Sequence, residues 1–258
     1  NAGITSPGAG ASSELFGASA AAVGASGLAL GNSSSAAGSN GTAIGTSSVT
    51  GSGADNTAIG KGASTSSGGS NSVAIGSGAG NFGGGAGSQI AIGQNAQSNG
   101  NNSICIGQGS STSLGGAIVI GTGSSTSSAN SIVIGQSAAI APGINTVVIG
   151  SSTVPMNNVF FGKGATDTVA TAYTINGTGG SGTDNAGGAL QLAGGKATGN
   201  AAGGQILLQT ADVGASGATL QSLTTKVRLY VDGAVEIGTG TTTPGKQRLK
   251  ISGGTAIA

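Results

Sequence analysis

The sequence predicts an all-β chain, a β-solenoid with coils of about 14 residues stacked on one another, followed by a glycine-rich β module. Three observations predict it. A four-residue phrase, apolar–small–apolar–glycine, first reads Leu28-Ala29-Leu30-Gly31 and returns with glycines at Gly45, Gly60, Gly76, Gly93, Gly107, Gly121, Gly135 and Gly150. A degraded copy, Val159-Phe160-Phe161, ends at Gly162, and the steps between successive glycines are 14, 15, 16, 17, 14, 14, 14, 15 and 12. A repeat this short holds one or two strands and buries nothing alone, so its copies must stack. The composition agrees: 55 of 258 residues are glycine without a three-residue period, which excludes collagen. Finally, Ile and Val recur at fixed phase within Gly/Ser/Ala-rich text, a regularity that a flexible linker has no reason to keep.

Residues 1–26 precede the first regular copy and read as an attachment or linker segment. Residues 27–165 read as the shaft. In a strand such as Ile132-Val133-Ile134 the outer residues face one way and the middle one the other. The middle slot runs Ala29, Ala43, Ala58, Ala74, Ala91, Cys105, Val119, Val133, Val148, Phe160, with nothing polar, so both faces are dry. The coil interior is expected to take the flanking Ile/Val pair. The middle series, Ala74 to Phe160 above all, is then core or faces another copy of the chain, since a closed symmetric assembly gives every copy a matching stripe. Growth of that slot from Ala to Val to Phe suggests a gap at a symmetry axis that widens toward residue 160.

The phrase-ending glycines suit sharp corners that need positive φ. The small residue three places later, as in Gly60-Lys61-Gly62-Ala63 and Gly135-Gln136-Ser137-Ala138, fits a thin interior. Asn-Ser precedes the strand at Asn71-Ser72, Asn102-Ser103 and Asn130-Ser131. Phe160-Phe161 reads as an apolar plug closing the solenoid, and Phe82 as a candidate protruding contact. Residues 166–258 change character to Gly-Gly punctuated by short strands: Ala189-Leu190-Gln191-Leu192, Gln205-Ile206-Leu207-Leu208-Gln209-Thr210, Lys226-Val227-Arg228-Leu229-Tyr230-Val231, Val235-Glu236-Ile237 and Arg248-Leu249-Lys250-Ile251.

Charge excludes several roles. Residues 1–160 contain three charged side chains, Glu14, Asp55 and Lys61, so no basic patch tracks a nucleic acid. No apolar run is long enough to span a bilayer as a helix. Histidine is absent, which removes the commonest general base and metal ligand. Asp232 and Glu236 lie four apart and could form a glycosidase pair, but charge balancing beside Lys226 and Arg228 is the stronger reading. Gly179–Asp184 matches the start of a calcium-binding nonapeptide only once, where such sites need stacked copies. No enzyme, cofactor or metal is therefore expected. Cys105 reads as a small buried residue that leaves the redox compartment open. The start at Asn1 without Met leaves open whether upstream residues were removed.

Asn71-Ser72-Val73-Ala74-Ile75-Gly76 with Ala79 resembles the head repeat of trimeric autotransporter adhesins of the YadA type, over about residues 27–162. The resemblance implies a left-handed β-roll, a homotrimer and extracellular exposure. The strand order of 177–254, with Gly238-Thr239-Gly240-Thr241-Thr242-Thr243-Pro244 near its end, resembles distal parts of tailed-phage fibres and tailspikes. There it often precedes a cleavable chaperone, which here was cleaved off, lies beyond Ala258 or never existed. Neither a heptad stalk nor a closing series of long alternating strands appears, which favours a phage tail fibre over a bacterial adhesin or filament. The partners expected are copies of itself, virion tail proteins or cell-surface components, and a host surface glycan, with no residue assigned to receptor contact.

Overall fold

A computed structural model describes residues 10–65, 69–80, 87–139, 145–151, 156–159, 172–213 and 221–238. The chain divides into two compact units, residues 1–165 and 166–258.

The first unit is a β-solenoid. Its three-residue strands run Glu14–Phe16, Leu28–Leu30, Thr42–Ile44, Thr57–Ile59, Val73–Ile75, Ile90–Ile92, Ile104–Ile106, Ile118–Ile120, Ile132–Ile134 and Val147–Ile149. They stack as one ten-stranded parallel sheet in chain order. Two-residue strands, from Ala21–Ala22 to Ser125–Thr126, form the facing wall, with Gly80 bridging Ser64 to Gln97 across the gap between its two sheets. Register is strict: Ala91 pairs with Cys105, Cys105 with Val119, Val119 with Val133, and Val133 with Val148.

The longer glycine steps leave that register intact. Ala43, Ala58, Ala74 and Ala91 are consecutive partners although the chain between them lengthens at each step. The extra residues lie between the short strand and the next long one, so they lengthen a loop. Two buried amides sit where those loops rejoin. Asn56 donates through Nδ2 to the carbonyls of Gly53 (2.9 Å) and Gly69 (2.7 Å) and accepts from the Ser72 amide (2.9 Å). Gln89 donates to the Gly100 carbonyl at 3.1 Å. Other coils carry small residues there, such as Ser103, Ala117 and Ser131. At two of the lengthened loops a longer polar side chain occupies this place and pairs backbone groups, whereas the loop that ends at Ser72 keeps a small one.

Two sequence expectations are corrected. The shaft begins earlier than residue 27: Glu14–Phe16 pairs in register with Leu28–Leu30, and Leu15 is buried. Residues 10–26 are thus a further coil rather than a linker, disguised because Glu14 and Phe16 stand in the flanking positions. The faces of the long strands are also reversed. Ala29, Ala43, Ala58, Ala74, Ala91, Cys105, Val119 and Val133 all have zero exposure inside a single chain, while the flanking residues point outward. A three-residue strand offers one side chain to one face and two to the other. The interior opposite Ala, Ser and Thr of the short strands has room only for the single one. From Ala29 to Val133 the middle slot is therefore coil core, the first of the two readings offered for it, and Phe160 lies outside the described residues.

The second unit has a different construction. Ile206–Ala211, Leu223–Leu229 and Val235–Ile237 form a three-stranded antiparallel sheet, whereas the strand expected at Ala189-Leu190-Gln191-Leu192 does not form and that expected at Arg248-Leu249-Lys250-Ile251 lies outside the described residues. No residue among those described in this unit is buried.

Candidate functional site

The outward side of the ten-stranded sheet carries two columns, apolar except at Glu14, Thr42 and Thr57. One runs Leu28, Thr42, Thr57, Val73, Ile90, Ile104, Ile118, Ile132 and Val147; the other runs Phe16, Leu30, Ile44, Ile59, Ile75, Ile92, Ile106, Ile120, Ile134 and Ile149. Ile75, Ile106, Ile120 and Ile134 are 36–37% exposed, and Phe16 and Val147 61%. Strands about 4.8 Å apart make a ten-strand stripe about 43 Å long, and three residues make it about 10 Å wide. Glu14, at one end, is the only charge in either column.

The facing wall is chemically opposite. A groove of about 340 Å³ is lined by Gln97, Asn99, Ser111, Ser113, Ser125 and Ser127, together with Thr112 and Thr126. The outward positions there, 97, 111 and 125, are stacked in register and repeat one polar side chain per coil.

Each coil turns twice through left-handed backbone, which fixes where its polar corners lie. One series is Ser19, Ser33, Ser47, Gly62, Gly78, Asn95, Gly109, Gly123 and Ser137; the other is Ser12, Ser26, Asn40, Asp55, Asn71, Ser88, Asn102, Gly116, Asn130 and Asn145, all with φ between 51° and 69°. Asn, Asp, Ser and Gly are the residues that tolerate this region. The Asn of each Asn-Ser pair is a corner, and the Ser is buried beside it. Corner side chains also stack between coils, with Asn40 Nδ2 donating to Asp55 Oδ1 at 2.8 Å. On the neighbouring surface, Gln108 Nε2 donates to Gln94 Oε1 at 3.0 Å.

The repeat glycines have a stricter duty than turning. From Gly31 to Gly135 their φ lies between 125° and 142°, and Gly150 has 88°. A Cβ on Gly107 would lie 2.5 Å from the Gly121 carbonyl oxygen, and one on Gly45 2.6 Å from that of Gly60. Close coil stacking and an L-forbidden φ coincide at one position.

The remaining candidate residues are accounted for singly. Cys105 is fully buried; desolvation pushes its thiol up to about 11 against the smaller opposing effects of Ser98 and the Thr112 backbone. It is an unreactive core residue. Asp232 accepts from the Ala234 amide at 3.0 Å within its own turn, whereas Glu236 accepts from the Tyr230 hydroxyl at 2.5 Å and lies 3.8 Å from Arg228. Each carboxylate thus has a local partner. The Lys226 ammonium, 2.6 Å from Asp212, and the Thr224 hydroxyl hold the Asp212 carboxyl below its usual value. Near Gly179–Asp184 the Asn185 amide donates to the Ser181 carbonyl. Among the described residues no three His, Cys, Asp or Glu side chains gather to hold a metal, and no helix is long and apolar enough to cross a membrane. Phe82, Phe160, Phe161 and Gly162 lie outside the described residues. Sequence reasoning missed the Asn56 and Gln89 plugs; their signal was a large amide where other coils keep Gly, Ser, Ala or Thr.

Residues 90–110 and 115–138 match the YadA head domain repeat, in two copies. The chain matches no curated protein sequence. The matched segments cover the coils of Ala91, Cys105, Val119 and Val133 and most of the hydroxyl-lined groove. The repeats are of the kind found in adhesin-type fibre proteins.

Proposed function

We propose that this chain is a structural, adhesive fibre protein whose solenoids pack through their apolar stripes into a parallel homotrimer. The hydroxyl- and amide-bearing wall then meets a target surface. The observation that carries the reading is the outward stripe of the ten-stranded sheet. Contiguous apolar surface of this extent, about 400 Å² by strand spacing and length, is of the size of the largest apolar patch on a soluble chain, which is often a functional contact. Near-absence of charge lets like stripes meet without repulsion. A symmetric arrangement covers each stripe with its own kind and closes, instead of growing without limit.

Adhesion then rests on repetition. A wall that presents a hydroxyl or amide at each of Gln97, Ser111 and Ser125, on three chains, makes many weak contacts whose avidity replaces single-site affinity. A host surface glycan suits such a wall, whereas a nucleic acid does not, because residues 1–160 carry three charged side chains. The role is non-catalytic: the chain has no histidine, and Asp232 and Glu236 serve a turn and an ion pair. The repeat type suits a location outside cells or on a surface.

In its specific form the reading is a bacteriophage tail fibre that mediates host attachment, supported by the Gly-Gly-punctuated strand order after residue 177. A bacterial surface adhesin or filament is the second reading, favoured by the repeats at 90–110 and 115–138. Immunogold microscopy of a producing culture, with antibody against residues 177–254, separates them. Label on virion tails upholds the tail fibre; label on cell walls or free filaments replaces it with the adhesin.

A further inference from the structure

The facing wall of the shaft is interrupted at one coil, that of Ala74. Its short strands form two sheets, one from Ala21–Ala22 to Ser64–Thr65 and one from Gln97–Ser98 to Ser125–Thr126. Between them Gly80 stands as a single bridged residue, paired with Ser64 on one side and Gln97 on the other. The opposite wall continues without a break, because Ala58, Ala74 and Ala91 are partners in strict register. The two longest glycine steps, 16 and 17, also meet at this coil's Gly76. The interior repeats the division. Among the described residues, the buried apolar side chains of the shaft gather in two clusters, Leu15 to Ala43 and Cys105 to Ala138. Between them the coil of Ala74 offers Ala74 and Ala79 as its buried apolar residues. Thr65 Oγ1 and Gln89 Oε1, both buried and without a protein partner, flank the same place.

We infer that the coil of Ala74 is a joint that divides the shaft into two stiff segments, residues 10–65 and 90–139. The ten-stranded sheet is its hinge leaf, and the joint opens through the facing wall. Continuous pairing resists separation on one side, while a single residue spans the other. The bonds that part are those from the Ser64 amide to the Ala79 carbonyl (2.9 Å), from the Gly80 amide to the Ala96 carbonyl (2.9 Å) and from the Ser98 amide to the Gly80 carbonyl (3.1 Å). Regions with little side-chain packing open before the rest of a fold. Buried polar groups without a partner are costly while shut from water and are satisfied once water reaches them. Thr65 and Gln89 therefore favour opening at this coil over opening elsewhere. The joint belongs to the single chain and does not rest on the assembly proposed above. It lets the two segments change direction while each keeps its own core.

The test is native-state hydrogen exchange of the full chain, resolved to single amides. The amides of Ser64, Gly80 and Ser98 are expected to be at least about ten-fold less protected than those of Ser35 and Ser111 in regular coils. Gly76 and Gly93, whose amides bond across the continuous wall, should match Gly107 and Gly121. Uniform protection along the facing wall overturns the inference. Equal loss at Gly76, Gly80 and Gly93 also overturns it, because the coil would then unfold entire instead of hinging. Thr65→Val puts a methyl where the unpartnered hydroxyl stands, and should slow exchange at Gly80 about three-fold while leaving Ser111 unchanged. An unchanged rate at Gly80 in that variant would overturn the opening of the joint to water.

Discussion

The shaft and the C-terminal unit place their side chains by opposite economies. In the shaft the smallest residues are buried: Ala, Ser, Thr, Cys and Val line the interior, and Ile faces out. In the C-terminal unit the large apolar residues are present, yet none described is buried. Closure of the chain on itself explains the difference. A short coil that returns to its own starting point encloses a core however small its side chains are. A three-stranded sheet encloses nothing, whatever it carries. The common lesson is that single-chain stability in the shaft comes from backbone stacking and tight small-residue packing, while the large apolar side chains are left at the surface.

The sharpest way to break this contrast is a single methyl group. Gly107→Ala forces a Cβ within 2.5 Å of the next coil's carbonyl at φ 133° and is expected to cost about 3 kcal/mol or more. Gly195→Ala, with nothing within 4 Å, should stay within about 0.5 kcal/mol. Thermal unfolding followed by circular dichroism compares them. Equal losses would show that coil stacking carries no special constraint.

Adjacent residues on one strand give the next contrast. Ile120→Asp places a charge in the outward stripe and is expected to yield dissociated but folded chains. Val119→Ala should leave the assembly intact and lower stability by about 1–2 kcal/mol, as a core truncation does. Sedimentation with circular dichroism reads both. Dissociation by Val119→Ala with none by Ile120→Asp would restore the reversed assignment of faces.

That reversal marks the limit of what was legible. Stacking, strand phase and corner glycines follow from the spacing of Gly31 to Gly150. Which side of each strand faces inward does not, because period-two alternation is symmetric until coil width is known. The coil at Glu14–Phe16 was hidden by polar and aromatic substitution, although Gly17 precedes Gly31 by the same step that separates Gly31 from Gly45. The left-handed corners at Asn71, Asn102 and Asn130 were visible only as turn-forming residues. Of the candidate surfaces, the apolar stripe was legible as a dry face, assigned to the middle residues instead of the flanking ones. The hydroxyl wall depends on coil-to-coil register, which no single repeat reveals.

Smaller effects refine the shaft's side of the comparison. Asn56→Ala removes three hydrogen bonds from a lengthened coil and is expected to cost about 2–3 kcal/mol. Gln89→Met, which gives up one bond but also a buried oxygen with no protein partner, should cost less than about 1 kcal/mol. Denaturant unfolding tests the order of the two. Cys105 offers the mildest probe. Its raised pKa means that the unfolded thiol ionises while the folded one stays neutral, so its contribution is intact below pH 9.0 and is lost as pH rises toward about 11. Cys105→Val, matching Val119 and Val133 in register, should show a shallower fall in Tm between pH 8 and 11, given the linkage of protonation to folding. Parallel curves would mean that the thiol is hydrated.

The central claim is that the outward Ile/Val stripe joins copies of the chain. Sedimentation equilibrium of the full protein tests it most directly. The account predicts a single species of three times the 23.5 kDa chain mass, stable on dilution. A species of one chain mass, with the shaft folded, would contradict it.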